Sequence, residues 1–104
     1  MARFVEVCGA AEVPEGRGLA VTVDGLPIAL FRDPDDPGEI IALHGRCPHA
    51  NGPMGRAWVD DGQAVCPLHR WRFDLKTGRC ATAPGRSLHR FRCEVRDRRV
   101  WVEA

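Results

Sequence analysis

Four residues of this chain have the chemistry to hold a metal together. Cys47 and His49 flank a proline in Cys47-Pro48-His49, and sixteen residues later Cys66-Pro67-Leu68-His69 offers a second thiol and a second imidazole. Cysteine sulfur is soft and suits zinc or an iron–sulfur cluster, while neutral imidazole suits zinc or a histidine-ligated iron. Two occupants fit such a set. One is a mononuclear zinc that closes a tetrahedral site and staples two loops. The other is a [2Fe–2S] cluster in which two histidines replace two of the usual thiolates. Spacing alone leaves both open. A Cys47–Cys66 disulfide with idle histidines is a third reading. It suits neither a chain without a recognisable secretory leader nor the placing of each histidine beside a cysteine.

The flanking residues separate these readings. The first pair sits in Arg46-Cys47-Pro48-His49-Ala50-Asn51-Gly52-Pro53-Met54, and the second opens Cys66-Pro67-Leu68-His69-Arg70-Trp71-Arg72-Phe73-Asp74-Leu75-Lys76-Thr77-Gly78. This resembles the Rieske family, whose pattern is C-x-H-x-x-G followed by C-P-x-H-x-x-x-F-D-x-x-T-G. Both ligand loops, the spacer and the following hairpin match, and weaker similarity runs along most of the chain. The resemblance implies a [2Fe–2S] cluster rather than zinc. It implies that Cys47 and Cys66 hold one iron and that His49 and His69 hold the other, with two sulfides as bridges. Two ferric ions, two sulfides and two thiolates sum to zero charge, so one electron enters at modest electrostatic cost, at the histidine-ligated iron. Such a cluster carries an electron and makes no bonds. Arg70 departs from the pattern, because many relatives have Gly directly after the second histidine. Ala83-Pro84-Gly85 falls where the family places a third loop covering the cluster.

The resemblance also bears on potential. Respiratory members of the family resemble C-x-H-x-x-C and C-x-C-H-x-S-x-Y, with a disulfide between the loops and two hydroxyls donating to the cluster sulfurs. Here Gly52 and Leu68 occupy the extra cysteine positions, and Trp71 and Phe73 stand where the hydroxyls would be. Missing donors leave the reduced state less stabilised. The expectation is a low potential, near the bottom of the Rieske range at about −150 mV.

The elements that position these loops read as strands. Eleven glycines and eight prolines punctuate short apolar runs, and helix signals are nearly absent, which is the mark of an all-β domain. Strands are expected at Phe4–Val7, Ala20–Val23, Ile28–Phe31, Glu39–Leu43, Trp58–Val59, Ala64–Val65 and Val100–Val102, with Phe91, Cys93 and Val95 alternating in another. Asp24-Gly25, Asp60-Asp61-Gly62 and Asp97-Arg98 read as turns. The expected architecture is a Rieske-like antiparallel β-sandwich. Residues 1–45 and 87–104 form its base, and residues 46–86 are inserted as a cluster-binding subdomain. Trp58, Phe91 and Trp101 are expected on core faces, and His44 and His89 at the surface or at strand ends.

Size and charge narrow the function. A chain of 104 residues is one domain, too small for a catalytic domain plus a carrier domain. No apolar stretch approaches the roughly eighteen residues needed to span a bilayer, which points to a carrier without an anchor and a cytoplasmic setting. Cys8, Cys80 and Cys93 remain as reduced thiols. The net charge of +1 hides an asymmetry: residues 1–45 carry three basic and eight acidic side chains, whereas residues 46–104 carry twelve and six. The arginines are either a solvated surface or a basic rim that steers docking onto an acidic partner. No nucleic-acid module is recognisable.

Three functions remain. The first is a Rieske-type ferredoxin passing single electrons between a reductase and a terminal oxidoreductase such as an oxygenase, docking near the histidine ligands. The second is the small Rieske subunit of an NAD(P)H-dependent nitrite reductase. That family is similar here in Val13-Pro14-Glu15-Gly16, in the Val21-Thr22-Val23-Asp24-Gly25 hairpin and in Cys66-Pro67-Leu68-His69-Arg70-Trp71. The third, of another class, is a zinc-stapled interaction module. In the first two the chain is an electron-transfer component rather than a catalyst on its own.

Overall fold

The runs Ile28-Ala29-Leu30-Phe31 and Ile40-Ile41-Ala42-Leu43 are apolar at every position. A strand satisfies such a run only when both of its faces are covered. The computed structural model describes residues 3–49 and 51–104. Met1 and Ala2 of the expected base, and Ala50 of the first ligand loop, lie outside the described residues.

Among the described residues there are ten strands: β1 Phe4–Gly9, β2 Leu19–Val23, β3 Leu26–Arg32, β4 Ile40–His44, β5 Trp58–Asp60, β6 Gln63–Val65, β7 Arg72–Asp74, β8 Arg90–Phe91, β9 Cys93–Arg96 and β10 Arg99–Glu103. Single 3-10 turns occupy Ala10–Glu12 and Met54–Arg56. The strands form three antiparallel sheets, ordered β1-β10-β9, β2-β3-β4-β8 and β5-β6-β7. The fold is the expected all-β architecture.

The central four-stranded sheet serves two cores. On one face Ile28, Leu30, Ile40 and Ala42 meet Cys8, Val100 and Val102 of the first sheet. On the other face Ala29, Phe31, Ile41 and Leu43 meet Ala64 and Phe73 of the third sheet, and Cys47 and Cys66 belong to this second core. Strand alternation assigns these faces, because neighbouring side chains in a strand point to opposite sides.

The expected turns form with paired left-handed residues. Asp24-Gly25, Asp61-Gly62 and Asp97-Arg98 all have positive φ at both positions, as two-residue hairpin turns of the twisted type require. Three features depart from the sequence reading. The alternating run at Phe91, Cys93 and Val95 is not one strand: Phe91 pairs with Ala42 of β4, whereas Cys93 pairs with Val102 of β10. The chain crosses between sheets at Arg92 and so closes the sandwich corner. Strand β7 was not foreseen, since Arg72-Phe73-Asp74 has only one apolar residue. Trp58 is not a core residue but is 40% exposed. Val59, opposite Ala64, takes the inward position of β5, which turns Trp58 and its partner Val65 to the other face.

Lys76 and Asp33 tie the loop after β3 to the turn after β7. Asp33, a buried carboxylate, accepts hydrogen bonds from the Lys76 ammonium and from the Asp35 N–H. The Lys76 hydrogen bond is the main reason its carboxyl titrates below the ordinary range, against the opposing effect of burial. A depressed folded-state value contributes stability that is present above the unfolded-state value and is lost as pH falls through the folded one. The wild-type chain is therefore expected to be more stable than Asp33→Asn at neutral pH, with the gap closing in acid. Urea unfolding of both chains across an acidic pH series checks this, and a gap independent of pH contradicts it.

Candidate metal centre

Each ligand loop is closed by backbone hydrogen bonds at its neck. In the first, the Gly45 N–H donates to the Pro27 carbonyl at 2.9 Å, and the Met54 N–H returns to the Gly45 carbonyl at 3.0 Å. Inside that neck the Cys47 N–H donates to the Gly52 carbonyl and the Asn51 N–H to the Cys47 carbonyl, both at 2.9 Å. The His44 imidazole also contributes, its Nδ1 accepting from the Arg46 N–H at 3.1 Å. In the second loop the Cys66 N–H donates to the Trp71 carbonyl at 2.8 Å. The loop turns back through His69 and Arg70, with φ of 64° and 58°. Arg70 thus takes the left-handed conformation that a glycine adopts freely, at a cost of about 1–3 kcal/mol.

The motif after the second loop is a turn device. Asp74 accepts from the N–H groups of Lys76 and Thr77 through Oδ1, at 2.8 and 3.0 Å. Thr77 Oγ1 accepts from the Arg79 N–H. Gly78, at φ 78°, donates to the Asp74 carbonyl and accepts from the Leu88 N–H. Phe73 anchors the device in the second core.

These two loops bring the four candidate residues to one end of the molecule. Cys47 and Cys66 are both about 1% exposed, whereas His49 and His69 are exposed. The two imidazole centroids lie 4.8 Å apart with the rings inclined at 62°. Gly52 lines the space beside the thiols: a Cβ there would lie 2.5 Å from Cys66 Sγ and 3.4 Å from the Cys47 Cβ. Burial pushes the Cys66 thiol up, the neighbouring Cys47 adds to the shift, and a hydrogen bond from the Leu68 backbone opposes it. All five cysteines are unbridged.

The donor set fits a [2Fe–2S] cluster of two irons. Two buried sulfurs form one pair and two exposed imidazoles the other, with a glycine cradle beside the sulfurs.

Trp71 is a residue whose role the sequence reading missed. The sequence pattern marks it as standing where a hydroxyl donor would be. Its indole stacks on His49 with centroids 4.2 Å apart and planes at 17°, so it fixes the orientation of that ring. An aromatic residue two positions after the second histidine was the available signal. The third loop also differs in detail. Ala83 packs against the second core and donates its N–H to Cys80 Sγ at 3.3 Å, while Pro84 is exposed. Cys80 belongs to this second core and Cys8 to the other, with Cys93 packed against it. Burial, with lesser help from Cys8, pushes the Cys93 thiol up to about 12. His44 and His89 stand at strand ends as expected, His44 closing β4 and His89 lying edge-on to Phe91.

The Gly52 cradle gives a direct test. Gly52→Ala places a methyl group against Cys66 Sγ, so the variant should fold but retain well under half of the wild-type iron and sulfide after reconstitution. Iron and acid-labile sulfide analysis beside a circular dichroism spectrum checks this; full cluster content in the variant contradicts it.

The Rieske [2Fe–2S] domain family matches residues 3–92. The ferredoxin component of the naphthalene 1,2-dioxygenase system of Pseudomonas aeruginosa is 31% identical over 102 residues, which cover 97% of this chain and 95% of that protein. Among solved structures, a Mycobacterium tuberculosis protein assigned as an NADH-dependent nitrite reductase small subunit superposes with a TM-score of 0.88 at 25% identity, covering 100% of this chain and 96% of that one. The chain is also similar to one solved in the complex of reduced oxygenase and oxidised ferredoxin of carbazole 1,9a-dioxygenase. That match has a TM-score of 0.82 and 27% identity over 96% of this chain and 92% of that one.

Proposed function

The chain belongs to the Rieske [2Fe–2S] domain family, and we propose that within it this protein is the ferredoxin of an oxygenase system, with Cys47, His49, Cys66 and His69 as its cluster ligands. It is an electron carrier whose exchange partners are a reductase and a terminal oxidoreductase. When bound, the cluster supplies a one-electron couple. The observation that carries the ligand assignment is the pairing of two core-buried thiols with two exposed imidazoles at one end of the chain.

The protein's own residues account for the rest. Cys47 and Cys66 present their sulfurs from the apolar second core, where water does not compete for the metal. His49 and His69 reach the surface and give an electron a short path to a docked partner. Trp71 holds the His49 ring in place. Trp71 and Phe73 stand where potential-raising hydroxyls would be, which supports a low-potential couple. Residues 46–86 act as the cluster-binding subdomain, and residues 1–45 and 87–104 as the base. Two facts support this division: β4 and β8 are hydrogen-bonded neighbours, and the third sheet lies wholly within the segment between them. Among the described residues no helix is long and apolar enough to cross a membrane. Five free cysteines support a reducing, cytoplasmic setting.

A second reading is supported by the 0.88 TM-score to the M. tuberculosis protein assigned as a nitrite reductase small subunit, together with the resemblance of Val13-Pro14-Glu15-Gly16 and Cys66-Pro67-Leu68-His69 to that kind of subunit. The similarity to the naphthalene dioxygenase ferredoxin, at 31% identity over nearly the whole chain, favours the ferredoxin. Zinc stapling gives way to the cluster.

A redox titration combined with co-purification from the native source tests this proposal. The expected result is a one-electron midpoint near the low end of the Rieske range, about −150 mV, with an oxygenase or a flavin reductase recovered alongside. A clearly positive midpoint, or recovery of a sirohaem protein instead, overturns it.

A further inference from the structure

The ligand-loop end is charged in one sense only. The first ligand loop and the turn after it carry Arg46 and Arg56, the second loop carries Arg70, and the third carries Arg79 and Arg86. None of the segments 46–59, 66–73 and 78–93 contains an acidic residue. All five of these arginines are exposed, and among the described residues Arg46, Arg56 and Arg70 pair with no carboxylate. Elsewhere arginines are partly neutralised, Arg3 by Asp24, Arg96 by Glu94 and Arg99 by Glu6.

Arg46 and Arg56 share one groove beside the first ligand loop. The same loops carry the exposed imidazoles and Leu68, which is 44% exposed. The acidic residues lie outside these segments, two of them at the β5–β6 turn. The β5–β6 turn lies one strand length from Cys66, roughly 10 Å at the usual rise per residue. There Asp61 lines a groove with Glu15 and Asp33. Arg32 in that groove is engaged with the carbonyls of Ala10, Val13 and Pro37. The ligand loops therefore present a surface whose charged side chains are basic.

From these exposed, unpaired arginines we propose that the ligand-loop end docks on an acidic face of its partner oxidoreductase, with Leu68 as an apolar contact and Arg46, Arg56 and Arg70 meeting carboxylates. The proposal rests on the electron-carrier reading and adds the chemistry of the partner. A basic surface of this kind draws a negative partner face to the histidine ligands and raises the rate of productive encounter. Leu68 then supplies apolar area to the contact.

Voltammetry of the cluster-loaded protein tests the proposal without knowledge of the partner. Gold electrodes coated with carboxylate-terminated or ammonium-terminated monolayers of equal thickness stand in for acidic and basic faces. At low ionic strength electron exchange should be about tenfold faster on the carboxylate surface, in the range that electrostatic steering supplies. The preference should shrink as salt is added. Arg70→Glu and Arg46→Glu should each cut it several-fold. Arg98→Glu makes the same charge change at another exposed position, one whose positive φ matches that of Arg70, and should leave the preference unchanged. Equal rates on both surfaces overturn the proposal, as does an Arg98→Glu effect equal to that of Arg70→Glu, which would show net charge acting rather than one face. A protein loaded with iron and sulfide that gives no current on either surface also overturns it. A protein that takes up no iron overturns the carrier reading instead.

Discussion

The structure depends on the burial of β3 and β4 on both faces. Their side chains alternate between two cores, so the central sheet cannot shift without opening either the sandwich or the core behind the ligand loops. Ile28, Leu30, Phe31, Ile41 and Leu43 are all fully buried, and each large apolar side chain withdrawn from water contributes about 1.5–3 kcal/mol. The first ligand loop leaves directly from the end of β4, and its neck is hydrogen-bonded to the start of β3 at Pro27. The proposed metal donors are thus attached to the deeply buried central strands.

That attachment produces the asymmetry on which function rests. The sulfur pair belongs to the second core, whereas the imidazole pair stands in solvent. Burial pushes the Cys66 thiol up, and a metal held there would offset that penalty by fixing the thiolate. The imidazoles need no such help, and their exposure leaves one side open to a partner. Trp71 reconciles exposure with order: a surface ring that would otherwise rotate is held flat against an indole. Two successive left-handed residues, His69 and Arg70, are the strain the second loop carries to turn its imidazole outward.

Much of this was legible in the sequence. Residue type, order and spacing marked the four proposed donors, and Asp24-Gly25 and Asp61-Gly62 marked hairpin turns because aspartate and glycine tolerate the left-handed region, whereas Asp97-Arg98 turns with an arginine that does not favour it. The fully apolar runs at Ile28–Phe31 and Ile40–Leu43 carried a further message, burial on both faces, that strand assignment alone did not use. Other features depend on pairings between distant segments. Nothing local in Phe91-Arg92-Cys93 says that the chain changes sheets, because Ala42 and Val102, which set that break, lie far away in sequence. Trp58 was misplaced for a related reason. A three-residue strand offers two faces, and the register with Ala64 and Val65 chose between them. The stacking of Trp71 on His49 likewise joins two loops whose relative placement only the folded core defines.

The central claim is that two histidines and two cysteines divide one cluster between the surface and the core. Pulsed electron paramagnetic resonance on the reduced protein, produced with 15N-labelled histidine, tests this most directly. The expected spectrum shows couplings from two histidine nitrogens to the cluster spin, with one set lost in each of His49→Cys and His69→Cys. A cluster signal without histidine nitrogen couplings, or stoichiometric zinc in place of iron, would contradict the account.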